Sequence, residues 1–290
     1  MLRTMDKSPP TDSVAVVGLG TMGIKITELC LSHGFRVIGV GHTAESGKRA
    51  LEKLSRDLSR KVEKGKVSPE TRDRMLSSFR LAEAPAEIGN ASIIIEAVTE
   101  DVLVKRRVYR EIEPLVRGDA ILATNTSSLS VAELASELAR PDRFVGLHFF
   151  NPPEVMKLVE VRRGERTAQD AVRRSSEFAA KLGRTPISVP DTPGYYVNRI
   201  LFPMLIESIL VSDSPSANSK DIDQAMKLGA NHPMGPLELC DFIGNDVVLR
   251  ICEILHERTR DHRFKPPAKL VEMVKQGKLG RKTGEGFYKY

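Results

Sequence analysis

The chain has 290 residues, 41% of them hydrophobic, with a formal net charge of +6 and a pI near 9.2, which suffices for a buried core and for two domains. Aromatics at 5% and the absence of tryptophan leave little base-stacking surface, so the charge points away from nucleic acid, either to phosphorylated small molecules or an acidic protein, or only to solubility. Cys30, Cys240 and Cys252 show no CxxC spacing, so neither a disulfide framework nor a metal site is indicated and a reducing, cytoplasmic setting fits, while no apolar run reaches membrane-spanning length.

Residues 1–13, MLRTMDKSPPTDS, read as a polar N-terminal arm without the apolar stretch of a secretory signal. Short apolar runs and helical patterns then alternate: VAVVGLG and 22–33, FRVIGV and 44–64, SIIIEAV and 101–116, AILATN and 131–139, then RFVGLHFF. This order predicts a Rossmann-type α/β fold with a doubly wound, mostly parallel sheet. KLVEVRR and TPISVP add two strand-like runs. After DTPGYYVNR only helical spacing remains, at 200–211, 222–228, 237–256 and 268–276, with Pro236 near a helix start and Pro203 expected to kink or shorten its helix. The boundary falls near 188–193, giving a dinucleotide-binding and catalytic domain over 14–190 and an all-helical C-terminal domain over 191–290.

In VAVVGLGTMGIKITELC, Gly18, Gly20 and Gly23 have the spacing GxGxxG between a strand and a helix. The first glycine permits a tight turn, the second lets backbone approach a pyrophosphate, the third lets the helix pack on the sheet, and the loop residues Thr21 and Met22 open that helix. The free N–H groups and helix dipole suit an anion. About 20 residues further on, an acid would accept the ribose hydroxyls of NAD, but Val40 is followed by Gly41 and His42.

In LHFFNPPEVMKLVEV, His148 ends one strand, Pro152 and Pro153 force a turn, and Glu160 sits in the next strand. A neutral imidazole can take a proton from an alcohol while a carboxylate fixes its tautomer. The competing reading is a core histidine bound to a carbonyl, with Glu160 solvated on an edge strand. In ATNTSSLSVAELASEL, Ser130 and Glu133 form a capping box. Asn125, Thr126, Ser127 and Ser128 lie earlier, in the loop leaving a strand on its carboxyl side, where either serine could bond a substrate oxygen or only shape the turn.

Together EAVTED, NTSSLS, GLHFFNPPEVMKLVEV, DTPGYYVNRI, DIDQAMKLGANHPMGPLEL and GRKTGEGFYKY make nearly the whole chain resemble the L-3-hydroxyacyl-CoA dehydrogenase family, including bacterial 3-hydroxybutyryl-CoA dehydrogenases. The resemblance implies an oxidoreductase in which His148 is the base, Glu160 orients it, and Ser127 and Asn198 hold the substrate. It also implies cofactor contacts from Glu100, Lys105, Asn125, Asn151 and Lys282, a coenzyme A contact from Lys64 within DLSRKVEKGK, and a homodimer through the C-terminal domain. Lys64 on a solvated basic helix face is the plain alternative.

Two residues depart from the family pattern. Gly41 replaces the expected aspartate, which removes a ribose partner and also the repulsion that excludes a 2′-phosphate. NADP therefore becomes a candidate cofactor beside NAD, with Thr43, Ser46, Lys48 or Arg49 as phosphate partners. Asp57 stands where a small polar residue is usual. These departures raise a second substrate, a hydroxyacyl unit on an acyl carrier protein, and a remote third reading is a non-catalytic, crystallin-like protein.

Overall fold

Apolar runs bounded by turn residues build the sheet in the computed structural model, which describes residues 13–290. Its strands are β1 (Ser13–Val17), β2 (Arg36–Val40), β3 (Phe79–Leu81), β4 (Ile93–Glu96), β5 (Ile121–Thr124), β6 (Phe144–Phe149), β7 (Leu158–Arg163) and β8 (Thr185–Pro190). They form one sheet in the order β3-β2-β1-β4-β5-β6-β7-β8. All neighbouring pairs are parallel except β6 with β7. The arm expected at 1–13 lies outside the described residues except for Ser13, which already pairs with Arg36.

The chain divides into two units, the first ending at Asp191 and the second running Thr192–Tyr290. In the first, α1 (Thr21–Ser32), α2 (Ala44–Glu63), α3 (Pro69–Ser77), α4 (Val102–Ile112), α5 (Val131–Leu134) and α6 (Gln169–Lys181) cover the sheet. Strand alternation splits its core in two. Val14, Val16, Ile93, Ile95, Val145, Leu147, Val159 and Val161 belong to one apolar cluster, and Ala15, Val17, Ile94, Leu122 and Phe144 to the other.

Two helices were not legible in the apolar pattern. The helix α3 buries only Met75 and is started by Ser68, whose side chain accepts from Thr71 N, with Pro69 at its first position. The helix α6 packs largely through the small residues Ala171, Ser175 and Ala179, beside Val172 and Phe178. The helices expected over 101–116 and 131–139 are shorter, each passing into a tighter turn, at Glu113–Leu115 and Ala135–Glu137. In the first case Pro114 explains the end, since a proline disfavours helix in the residue before it.

The second unit contains α7 (Val197–Val211), α8 (Ser219–Gly229), α9 (Pro236–Ile243), α10 (Asn245–Thr259) and α11 (Ala268–Lys275) around a core that includes Phe202, Leu205, Leu237, Cys252 and Leu270. The single helix expected over 237–256 is broken at Gly244, whose φ of 101° is a conformation that side-chain-bearing residues avoid. The helix α7 continues through Pro203 instead of being shortened by it. Among the described residues no helix is long and apolar enough to cross a membrane.

Candidate active site

The glycine loop joins β1 to α1. Gly18 has φ 93°, and a Cβ there would lie 2.8 Å from the backbone of Ala97 and Val98. A Cβ on Gly23 would lie 1.8 Å from Gly18 O, so neither position admits a side chain. A Cβ on Gly20 would meet nothing within 4 Å. Gly20 is the helix N-cap, no side chain caps it, and the first turn, beginning Thr21-Met22-Gly23, holds no acid. Open space, an uncapped N-terminus and no opposing charge together fit a pyrophosphate.

The end of β2 is crowded. A Cβ on Gly41 would come 2.7 Å from Gly47 N and 2.9 Å from Thr43 O, both backbone atoms of the entry into α2. Thr43 and Ser46 close a reciprocal cap there, and Arg49 pairs with Glu45 at 3.3 Å. An aspartate would not fit this turn unless α2 moved away from it.

His148 and Glu160 stand directly opposite in the antiparallel register of β6 and β7. His148 Nδ1 and Glu160 Oε2 are 2.8 Å apart, with side-chain exposures of 8% and 1%. The carboxylate accepts, so Nδ1 carries the hydrogen and Nε2 becomes the basic nitrogen of the neutral ring. The Phe150 ring packs on the imidazole with centroids 4.4 Å apart. The plain reading of Glu160 as a solvated edge residue is overturned: β7 lies inside the sheet and β8 forms its edge.

The loop after β5 is gathered by one carboxylate. Glu100 Oε1 accepts from Thr126 Oγ1 at 2.5 Å, from Ser127 N and Oγ at 2.9 and 3.3 Å, and from Ser128 N and Oγ at 3.1 and 3.0 Å. Burial pushes the Glu100 carboxyl up, but the Lys105 charge and these hydrogen bonds outweigh it and hold it below its ordinary value. Ser128 is buried, whereas Ser127 is half-buried, which makes Ser127 the more accessible hydroxyl. Asn125 Oδ1 accepts from Phe149 N at 3.1 Å, tying this loop to the histidine strand. Asn151 Oδ1 accepts from Lys25 Nζ at 2.8 Å, linking the turn after β6 to α1.

Lys105 is fully buried, its ammonium 2.7 Å from Glu96 Oε1 and 3.6 Å from Glu100 Oε2. Glu96 is also fully buried and accepts from Tyr109 Oη at 2.5 Å, Thr124 Oγ1 at 2.9 Å and Val98 N at 2.7 Å. Of this polar floor Lys105 was named from the sequence and Glu96 was missed, although an acid closing the apolar run IIIE was its signal. Ser130 caps α5 by accepting from Glu133 N and also donates to Asp191 Oδ2 at 2.7 Å, a partner the capping motif did not announce.

Other expected residues belong to other elements. Lys64 is the exposed C-cap of α2, and Asp57 on the same helix pairs with Lys53 at 2.7 Å and Arg60 at 3.9 Å. In the second unit Asn198 is buried in the first turn of α7, and Lys282 Nζ lies 2.5 Å from Asp246 Oδ1.

Comparison with known proteins covers the whole described chain. Residues 13–192 match the family profile "3-hydroxyacyl-CoA dehydrogenase, NAD binding domain", and residues 194–290 match "3-hydroxyacyl-CoA dehydrogenase, C-terminal domain". The chain is 41% identical over 277 residues to the 3-hydroxybutyryl-CoA dehydrogenase of Clostridioides difficile, covering 96% of this chain and 99% of that one. It is 38% identical to the mitochondrial hydroxyacyl-coenzyme A dehydrogenase of Sus scrofa, covering 96% and 90%. The crystal structure of (S)-3-hydroxybutyryl-CoA dehydrogenase PaaH1 from Ralstonia eutropha superposes with a TM-score of 0.90 at 38% identity, covering 96% of this chain and 98% of that one.

Proposed function

The chain belongs to the 3-hydroxyacyl-CoA dehydrogenase family, and from that premise we propose that it interconverts (S)-3-hydroxyacyl-CoA, such as 3-hydroxybutyryl-CoA, and 3-oxoacyl-CoA with His148 as the proton acceptor. The observation that carries this reading is the buried 2.8 Å bond between His148 Nδ1 and Glu160 Oε2 at the carboxyl end of β6.

In the oxidative direction the substrate's 3-hydroxyl proton passes to His148 Nε2, and the resulting imidazolium is stabilised by Glu160. A nicotinamide cofactor held at the glycine loop would supply the acceptor for the hydride that leaves C3 as the C–O bond becomes a carbonyl. In reduction, protonated His148 returns its proton to the carbonyl oxygen. We assign Ser127 and Asn198 to the substrate's oxygens. Glu100 holds Ser127 in place, and Lys105, enclosed between Glu96 and Glu100, supports the cofactor side through Glu100. Gly18, Gly20, Thr21, Met22 and Gly23 would hold the pyrophosphate, with Asn125, Asn151 and Lys282 as further cofactor contacts and Lys64 for coenzyme A. An intact buried pair of this kind argues against a non-catalytic role.

NAD(H) is the cofactor class of the matched domain, and discrimination against NADP is the finer question. The crowding at Gly41 leaves no carboxylate to bond the ribose or to repel a 2′-phosphate. Asp57, which motivated a carrier-bound substrate, is accounted for by its ion pairs with Lys53 and Arg60. We assign the second unit a homodimer surface, supported by Ile200 and Leu228, each more than 70% exposed on α7 and α8. The three buried thiols accord with a reducing compartment.

The test is a steady-state matrix of NAD and NADP against 3-hydroxybutyryl units on coenzyme A and on acyl carrier protein. The CoA thioester should turn over best, and kcat/KM with NADP should fall within about a hundredfold of that with NAD, a difference under about 2.7 kcal/mol. No hydride transfer to either cofactor would overturn the reading, and a larger NAD preference would remove the role given to Gly41.

A further inference from the structure

Arg162 follows Glu160 by two residues on β7, so both side chains emerge on the face of the sheet that carries His148. It stands opposite Gly146, and a Cβ on that glycine would lie 2.8 Å from Arg162 Cβ and 3.2 Å from its Cδ. The glycine therefore leaves the path along which the arginine runs. Arg162 is 1% exposed. Its Nη1 donates to Leu129 O at 2.8 Å and its Nη2 pairs with Asp191. Asp191 also accepts from Ser130 Oγ at 2.7 Å, Val131 N at 2.9 Å and Ala132 N at 2.7 Å.

The stretch from Thr126 to Ala132 is consequently held at both ends. Glu100 gathers Thr126, Ser127 and Ser128, and the Arg162–Asp191 pair gathers Leu129, Ser130, Val131 and Ala132. Enclosing a guanidinium is costly: burial pushes its pKa down to about 9, against the pull of Asp191 and Glu160. A hydrophobic side chain would fill this strand position at less cost. The planar fork does what an apolar residue cannot, since it binds a carbonyl and a carboxylate in two fixed directions, and a lysine's single ammonium does not reproduce that.

We propose that Arg162 is a positioning residue for the reaction, fixing the Ser127-bearing loop against the strand that carries Glu160, so that the serine hydroxyl and the histidine base keep one relative placement. This rests on the roles given above to Ser127 and His148.

The experiment compares Arg162→Met, Arg162→Lys, Ser127→Ala and the double variant Ser127→Ala/Arg162→Met in the full-length enzyme, with 3-hydroxybutyryl-CoA and NAD and with thermal melts alongside. Each Arg162 variant should lose about tenfold or more in kcat, while KM for NAD stays within about twofold, because a displaced loop costs rate without touching the glycine loop. The double variant should be no slower than Ser127→Ala alone, within about twofold, since both changes remove one contribution. Wild-type kcat in the Arg162 variants, or losses that multiply in the double variant, would overturn the proposal and leave the role of Ser127 standing. A Ser127→Ala enzyme of wild-type rate would overturn that role and this proposal with it. If Arg162→Met does not fold, Arg162→Lys, which keeps a charge beside Asp191, carries the same comparison alone and in combination with Ser127→Ala.

Discussion

In the second unit the buried carboxylates are largely taken up by the backbone. Asp241 accepts from Phe287 N and Tyr288 N, both at 2.9 Å, and from Tyr290 Oη at 3.2 Å, and Asp223 accepts from Leu237 N and Glu238 N, both at 2.8 Å, and from Tyr288 Oη at 2.7 Å. In the first unit buried ionisable groups pair acid with base as well: Glu160 meets His148, Glu96 meets Lys105, and Asp191 meets Arg162. A carboxylate held by amide and phenol donors faces no base and serves as a rivet. A carboxylate paired with an imidazole stabilises one protonation state of its partner, and that is a catalytic property. The difference also sorts the motifs. DIDQAM, GPLELCD and TGEGFYKY identify the family as firmly as GLHFFNPPEV does, yet Asp223 and Asp241 within them do structural work. A Cβ on Gly286 would lie 1.9 Å from Asp241 Oδ1, and one on Gly235 2.2 Å from Asp223 Cγ, so these glycines serve the rivets.

The sharpest way to break this contrast is His148→Gln. Loss of the base should cost about a thousandfold in kcat, about 4 kcal/mol of transition-state stabilisation, with the melting temperature little changed. Steady-state assays across a range of substrate concentrations measure it, and near-full turnover would put His148 with the rivets.

Next comes Asp241→Ala, which takes the acceptor from the amides of Phe287 and Tyr288 and from the Tyr290 hydroxyl, and one of two acceptors from Asn245 Nδ2. Stability should fall by about 3 kcal/mol in denaturant unfolding. The kcat of the protein that remains folded should match that of the wild type. A kcat loss well beyond the folded fraction would mean that this rivet also shapes the catalytic machinery.

Legibility in the sequence followed distance along the chain. The glycine loop and the His148–Glu160 pair are local patterns, a fixed spacing in one case and two strands joined by a proline turn in the other. The alternation Val159, Glu160, Val161, Arg162 already set two charged residues on one face of a strand. What it could not supply was the partners of Arg162, because Asp191 and Leu129 reach it only through the folded sheet. Lys105 was expected to touch the cofactor, but its ammonium is fully buried against Glu96, which β4 supplies and which also accepts from Thr124 of β5. Gly41 posed the reverse problem: the departure was visible, but the close approach of α2, with backbone 2.7 Å from where a Cβ would lie, was not.

Glu100 lies between the two classes and sharpens the contrast with the smallest expected effect. Its donors include backbone amides, as in the second unit, and also two serine hydroxyls, a threonine hydroxyl and the Lys105 charge. Its side chain is 30% exposed, so solvent screens part of the interaction. Because its folded-state pKa is lowered from the ordinary value of 4.5, its contribution is complete above that value and is lost as pH falls through the folded pKa. Glu100→Gln keeps an acceptor oxygen but has no charge to lose. The variant should therefore be less stable than the wild type by about 1 kcal/mol near neutral pH, and the gap should close as the pH falls below 4.5 and through the lowered folded pKa. Urea midpoints measured from neutral pH downwards test it. Parallel wild-type and Gln curves would show that the charge of Glu100 does not stabilise the loop, and would leave its hydrogen bonds as the whole of what holds Ser127.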